Sequence, residues 1–221
     1  MSSSLEVGTP LREGILYVIS APSGTGKTSL CKRIIDIYPS LRHSVSYTTR
    51  PPRGDEVDGV DYHFVSRTLF AEMVAQNAFA EWAEVHGNCY GTALATLDEA
   101  RTAGVDLLLD IDCQGAQQLK KNGVEGVFIF VLPPTRCELE RRLRGRNTDS
   151  HEVIARRIAN AAGEIKEARW YNYAVVNDDL DRAQTRLEAI MTAEGLRSRY
   201  QSPLIDALLE EFSLPGASPR T

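Results

Sequence analysis

No apolar run in this 221-residue sequence reaches the length of a bilayer-spanning helix, so no membrane association is expected. The polar start, Met1-Ser2-Ser3-Ser4-Leu5-Glu6, lacks the apolar segment of a secretory leader. Cysteine is sparse: Cys31, Cys89, Cys113 and Cys137 are scattered, with none of the paired spacings that hold zinc or a redox disulfide. Reduced thiols and a cytoplasmic location are the expectation. Positive charge is in deficit, 25 Lys and Arg against 30 Asp and Glu for a net charge of -5, which argues against a nucleic-acid surface. Internal repeats are absent too. The length suits one medium domain with a full core, or a core carrying small inserts.

What is present is unevenly placed. Seven arginines fall between Arg136 and Arg157, and Arg50 and Arg53 flank a Pro-Pro pair. Local arginine clusters in a weakly acidic chain suit small anionic ligands better than long polyanions. One segment names the anion. Ser20-Ala21-Pro22-Ser23-Gly24-Thr25-Gly26-Lys27-Thr28 follows the strand-length apolar run Ile15–Ile19. It precedes Leu30, Ile34 and Tyr38 at helical spacing, stopped by Pro39. Strand, glycine loop and helix form the context of a phosphate-binding loop, in which converging N–H groups and a positive helix end cradle phosphate oxygens. Ala21 through Thr28 are therefore the candidate ATP contacts, with Lys27 on the β- and γ-phosphates and the Thr28 hydroxyl on Mg²⁺. Ala21 stands where the full pattern has glycine, which predicts a negative φ there. Pro22 has no N–H to give, so the donors should run from Ser23 onward.

The apolar runs Val105–Leu109 and Val127–Leu132 are nearly unbroken, as parallel strands buried on both faces require. Gly104 and Asn122-Gly123 mark helix ends, Thr135-x-x-Glu138 opens a helix with a capping box, and Asp181 is placed as the cap of a later one. Val175-Val176 adds a short strand. The fold class is α/β, a doubly wound parallel sheet binding ligands at its carboxyl edge. Two stretches break the alternation: residues 44–92 carry mixed β-type patterning with a helix at Leu69, Phe70, Met73 and Val74, and 144–150 is polar and poor in core residues. The first predicts an inserted mixed lobe and the second a mobile flap. Leu204, Leu208, Leu209 and Phe212 predict an amphipathic helix over 196–213, packed on its own core or on a second copy in a homo-oligomer. Residues 214–221 are expected to be disordered.

Four blocks in order resemble the guanylate kinase family: Ser44–Val65, Glu81-Trp82-Ala83-Glu84, Gly87–Thr92 and Leu109–Gly115. The resemblance spans about residues 12–195 and implies a phosphate-loop nucleoside monophosphate kinase: core 12–43 and 93–195, GMP-binding lobe 44–92 and a lid near 144–157. It implies transfer of a phosphoryl group from ATP to GMP with Mg²⁺. GMP-phosphate contacts would fall on Arg50, Arg53, Tyr62 and Tyr90, and guanine contacts on Ser46, Glu81, Thr92 and Asp112. A carboxylate such as Glu81 accepts from the adjacent N1–H and N2–H₂ of guanine, whereas adenine presents an acceptor at N1. Asp110 and Asp112 lie two apart at the end of a buried run, which puts them on one strand face. Spacing alone leaves open which serves the metal, and we assign Asp110 to the metal side and Asp112 to GMP. Lid and core arginines Arg142, Arg146 and Arg157 would meet the ATP phosphates, with Arg50 completing the catalytic set. Asn177 would lie on the adenine side. Arg141, Arg144 and Arg156 read as surface charges.

Two other readings compete. A ribose phosphate kinase of the same fold would lack the guanine set Ser46, Glu81, Tyr90 and Thr92. A non-catalytic guanylate-kinase-like binding module would lack Lys27 and the lid arginines Arg146 and Arg157.

Overall fold

The chain leaves β1 (Leu16–Ser20) through the glycine loop into α1 (Lys27–Ile37) and returns by β2 (Leu41–His43). A lobe follows, made of β3 (Tyr47–Thr48), β4 (His63–Phe64), α2 (Arg67–Ala75), β5 (Phe79–Val85) and β6 (Asn88–Ala93). The core then resumes through α3 (Leu94–Thr102), β7 (Asp106–Asp110), α4 (Cys113–Lys121) and β8 (Val127–Leu132). It closes with α5 (Arg136–Arg144), α6 (His151–Glu167), β9 (Tyr173–Val176), α7 (Leu180–Gly195) and α8 (Ser198–Ser213). This computed structural model describes residues 12–85, 87–145 and 150–213.

Five strands form a parallel sheet in the order β2-β7-β1-β8-β9. β1, β7 and β8 are almost wholly buried, because helices cover both faces. On one face Leu30, Cys31 and Ile34 of α1 pack with Ala183, Leu187 and Met191 of α7. On the other, Ala116 and Leu119 of α4 pack with Phe128, Phe130 and Tyr171. Leu139 and Leu143 of α5 join Ile154 and Ala161 of α6 in a smaller cluster beside the glycine loop. The register pairs Ile19 with Asp110, so the glycine loop and the acidic end of β7 emerge side by side at the carboxyl edge.

The lobe is a second sheet, ordered β4-β3-β6-β5, anchored to α2 by stacking of Phe70 on Phe79 with ring centroids 4.5 Å apart. Ser66 caps α2 by accepting from the Leu69 N–H at 3.1 Å. β3 and β4 are only two residues each, shorter than the apolar patterning suggests, and β2 is a three-residue edge strand that the pattern does not announce. Thr135 caps α5 as expected, accepting from the Glu138 N–H at 3.1 Å, while the Glu138 carboxylate turns to Arg141 and Arg142. The cap of α7 is Asp179, which accepts from the Arg182 N–H at 3.0 Å, and not Asp181, which lies inside the first turn. The expected flap at 144–150 has helical ends: Arg144 completes α5, Gly145 caps it, and Ser150 caps α6. Its centre, Arg146 to Asp149, lies outside the described residues, as does the expected disordered tail 214–221. In α8 no residue is buried, and Leu204, Ile205, Leu208, Leu209 and Phe212 are exposed.

Candidate active site

The loop after β1 is held from two sides, and its glycines are required twice over. Gly24 and Gly26 adopt φ of +88° and +99°, a left-handed region that disfavours side chains. A Cβ at Gly24 would lie 2.7 Å from Leu143 Cδ2, and one at Gly26 would lie 2.5 Å from Asn177 Nδ2. Ala21 is not among the positive-φ residues, as its side chain requires, and the Pro22 carbonyl accepts from the Thr25 N–H at 3.2 Å. Helix α1 begins at Lys27 with no side-chain cap and no acidic residue in its first turn. Its amide end therefore stays open to an anion.

The Lys27 ammonium pairs with the Asp110 carboxylate and donates to the Ile111 carbonyl at 2.9 Å. Asp110 is the last residue of β7, and the strand stops there. Strand alternation therefore does not reach Asp112, which instead caps α4 by accepting from the Gly115 N–H at 2.9 Å. Asp110 thus sits on the loop side and Asp112 on the lobe side, a separation produced by the turn rather than by a shared strand face. Thr28, Asp110, Ser46 and Tyr62 line one cleft of about 570 Å³ between α1 and the lobe. Among the described residues no three His, Cys, Asp or Glu side chains cluster for a metal. Thr28 and Asp110 each present a side-chain oxygen on that cleft.

Across the cleft, Arg50 is buried and lies 5.3 Å from the centre of the Tyr62 ring and 5.9 Å from that of Phe64. Its guanidinium pairs with both oxygens of Glu56 at 2.9 Å, and the pair holds the Glu56 carboxyl below the usual carboxylate range. Tyr90 approaches Arg50 and meets Tyr62 edge-on at 6.1 Å, and burial pushes the Tyr62 phenol up. Arg53 is exposed on the same loop, its N–H donating to Glu56 Oε2 at 2.8 Å. A buried guanidinium, a neighbouring arginine and two phenols are thereby gathered on one side of the lobe, a donor set of the kind that suits an oxyanion.

Deeper in the lobe, β5 and β6 pair Glu81 with Thr92 in register, and the Thr92 hydroxyl donates to Glu81 Oε1 at 2.7 Å. An irregularity between Phe79 and Glu81 lets Phe79, Ala80 and Glu81 all be buried, while Trp82 turns outward. Burial is the main force pushing the Glu81 carboxyl up, and Asp112 adds to it while the Thr92 hydroxyl opposes it. Glu81 Oε2 lies close over Gly115: a Cβ there would come within 2.7 Å of it, so a larger residue would require the carboxylate to move. A buried carboxylate whose second oxygen lies over the first turn of α4 is an acceptor poised for paired donors.

On the opposite side of the loop, Asn177 is buried and its Nδ2 donates to the Thr25 carbonyl at 2.7 Å. Arg142 donates to Glu138 Oε1 at 2.7 Å, to the Thr25 carbonyl at 3.1 Å and to the Asn177 carbonyl at 3.0 Å. These bonds make Arg142 a brace between the loop and the end of β9 as well as a cation near it. Arg157 donates to the Ser23 hydroxyl at 3.2 Å, which brings α6 onto the loop. The Arg146 position lies outside the described residues. Arg141 pairs with Glu138, and Arg144 with Glu140, on exposed helix faces, as surface charges do.

Four residues at or near the site are not among the site residues the sequence suggests: Glu56, Glu138, Gly115 and Glu164. Glu138 sits in the capping box, so its helix-start signal was visible but its grip on Arg142 was not. Glu164 is half-buried on α6, and burial together with Asp112 pushes its carboxyl up. Its place in the helix gives no signal beyond a charged face.

A parallel sheet with a glycine-rich loop and an uncapped helix start at its carboxyl edge, facing a lobe that buries an arginine, defines the phosphate-loop class of nucleotide phosphotransferases. The sequence matches the profile described as guanylate kinase over residues 13–194. It is 67% identical over 192 residues to the guanylate kinase of Syntrophotalea carbinolica, covering 86% of this chain and 91% of that one. It is 59% identical to the guanylate kinase of Geobacter sulfurreducens, covering 92% and 98%. The crystal structure of guanylate kinase from Anaplasma phagocytophilum superposes with a TM-score of 0.70 at 32% identity, covering 92% of this chain and 97% of that one. The chain belongs to the guanylate kinase family.

Proposed function

We propose that this chain binds ATP at the loop 21–28 and GMP in the lobe 44–92, and transfers the γ-phosphoryl group between them. The chain is an ATP:GMP phosphotransferase yielding ADP and GDP. The observation that carries the substrate choice is Glu81, a buried acceptor paired with Thr92 and set against the first turn of α4. Guanine offers two adjacent donors to it, while adenine would face it with a lone pair.

In this reading an oxygen of the GMP phosphate attacks the γ-phosphorus as the bond to the β,γ-bridging oxygen breaks and ADP departs. Arg50, Arg53, Tyr62 and Tyr90 hold and orient the attacking phosphate. The loop amides and Lys27 hold the β- and γ-phosphates, and Lys27, freed from Asp110, meets the charge that builds on the transferring group. Arg142, Arg146 and Arg157 supply further positive charge from the core and from a lid spanning about 144–157. Asn177 bounds the adenine side. Ser46 and Asp112 complete the guanine pocket. Mg²⁺ belongs to the proposal because Thr28 and Asp110 are two oxygen donors on one cleft, a fit for a cation that keeps several waters. Bound with ATP, it would screen the phosphate charge. Among the described residues no helix is long and apolar enough to cross a membrane. We expect the enzyme in the cytoplasm, serving purine nucleotide metabolism.

A coupled ADP-release assay with ATP and GMP, AMP or ribose 1,5-bisphosphate tests this. We expect rapid turnover with GMP alone. Turnover with the bisphosphate and not with GMP would favour the sugar-phosphate reading, and none with any acceptor would favour a binding module.

A further inference from the structure

The hydrogens of the buried Arg50 guanidinium can be accounted for almost completely. A guanidinium carries five N–H donors, arranged as two forks that share one terminal nitrogen, plus one outer hydrogen. The end fork, one hydrogen from each terminal nitrogen, goes to Glu56: Nη1 to Oε2 and Nη2 to Oε1, both at 2.9 Å. The outer Nη1 hydrogen goes to the Pro51 carbonyl at 2.8 Å. What remains is the side fork, the Nε hydrogen and the second Nη2 hydrogen, a parallel pair suited to two oxygens of one phosphate. The Tyr90 hydroxyl reaches the guanidinium, and the Tyr62 ring packs at 5.3 Å.

Glu56 does more than neutralise Arg50. Its Oε2 also accepts the Arg53 N–H at 2.8 Å, so a single carboxylate fixes the plane of one arginine and the backbone origin of the other. Glu56 lies six positions after Arg50, and the Glu56 N–H returns to the Arg53 carbonyl at 3.1 Å, which closes the loop on itself.

We propose that Glu56 is a positioning residue for phosphate recognition: by occupying the end fork of Arg50 it turns the side fork toward the cleft and keeps it there when the nucleotide is absent. The proposal rests on reading the lobe as the GMP site. The phosphate then binds Arg50 without displacing Glu56. The lobe therefore meets its ligand with the guanidinium already oriented, which lowers the ordering cost of binding. If Glu56 were instead a placeholder that the phosphate must evict, its removal would tighten binding.

The test is calorimetric titration of the full chain with GMP and, separately, with guanosine, in the wild type, Glu56→Gln, Arg50→Ala and the double variant. Glu56→Gln keeps the shape but replaces one acceptor with a donor, so the end fork is broken. We expect Glu56→Gln to weaken GMP roughly tenfold, the scale for losing one charge-assisted pair, and to leave guanosine unchanged. In the Arg50→Ala background Glu56→Gln should lose most of its effect, leaving only what it does through the Arg53 backbone. Equal or tighter GMP binding by Glu56→Gln overturns the proposal. A parallel loss for guanosine also overturns it, because that pattern belongs to a loosened lobe. Should Arg50→Ala leave GMP affinity intact, the lobe reading itself falls. Glu56→Asp, which keeps the charge but shortens the reach, gives the same contrast if the Gln variant does not fold.

Discussion

Lys27 at the start of α1 and Asp110 at the end of β7 form an ion pair, and the same ammonium donates to the Ile111 carbonyl at 2.9 Å. The pairing follows from the sheet, because β1 and β7 are neighbours with Ile19 opposite Asp110. It keeps the loop lysine beside the acidic strand end before any nucleotide arrives. Three ammonium donors leave one for a phosphate at once, and ATP must compete for the others.

Lys27→Met keeps most of the stem and removes the charge. The Asp110 side chain remains 17% exposed, so water solvates it and the fold should survive. We expect kcat to fall by roughly 10²-fold or more, the scale for losing a positioned transition-state charge. Steady-state kinetics with circular dichroism check this, and an unchanged kcat in a folded variant removes Lys27 from the phosphate site.

Gly115 is a second point of leverage. Alanine is ordinarily better than glycine in a helix by about 1 kcal/mol. At this position its Cβ would meet Glu81 Oε2 at 2.7 Å and Ile111 Cδ1 at 3.3 Å. Glu81 must swing away, so Gly115→Ala should raise KM for GMP about tenfold, a scale set by mispairing a buried polar group. KM for ATP should hold. Initial-rate kinetics with each nucleotide varied decides it, and unchanged GMP kinetics would mean Glu81 has room to spare.

A closing lid predicts a different signature. Arg157 already reaches the Ser23 hydroxyl from α6, and Arg146 lies in the connection that leads into that helix. Arg146→Ala should lower kcat by roughly 10²-fold while leaving the GMP dissociation constant in place. Hydrogen exchange over residues 150–157 should slow when both nucleotide sites are filled, and equal protection without ligand would remove the lid.

Glu81 ties the proposed base selection to stability. Its carboxyl is pushed above the ordinary range, first by burial. The native state therefore holds this proton more tightly than the unfolded chain does. The ionised side chain costs stability at neutral pH, and that cost fades as pH falls through the raised native value toward the unfolded one. Glu81→Gln should consequently melt at a higher temperature than the wild type near pH 7.5. The gap should shrink as the pH is lowered toward 4. Thermal melts across that range check the sign, and a variant less stable at neutral pH would show that the ionised carboxylate is held favourably.

The readable parts of this molecule were those with local signals. The loop at 20–28 was legible because its glycines need special backbone angles and its flanks carry opposite periodicities. β8 was legible as an unbroken apolar run. The two-residue strands β3 and β4 were not, because pairing in a sheet, not sequence length, makes them strands. Asp179 and Asp181 are both good caps, and only backbone geometry chooses between them. Glu56 sits among Gly54, Asp55 and Asp58, a context that reads as a solvated turn, and its hold on Arg50 exists only once the loop closes. Glu81, Thr92 and Gly115, the proposed guanine side, are brought together by strand register and a helix start. The family blocks marked the segments, and the contacts came from the fold.

Competition between two acceptors tests the base selection most directly. Wild-type enzyme and Glu81→Gln are given ATP with equimolar GMP and AMP, and the GDP and AMP-derived ADP formed are separated by following a labelled AMP. We expect the wild type to make GDP almost exclusively. Glu81→Gln should lose roughly 10²-fold in GMP kcat/KM, with AMP gaining relative to it, because a donor amide then faces guanine's own donors. A wild type that phosphorylates AMP as readily as GMP, or a Glu81→Gln enzyme with the wild-type product ratio, would contradict guanine selection by this carboxylate.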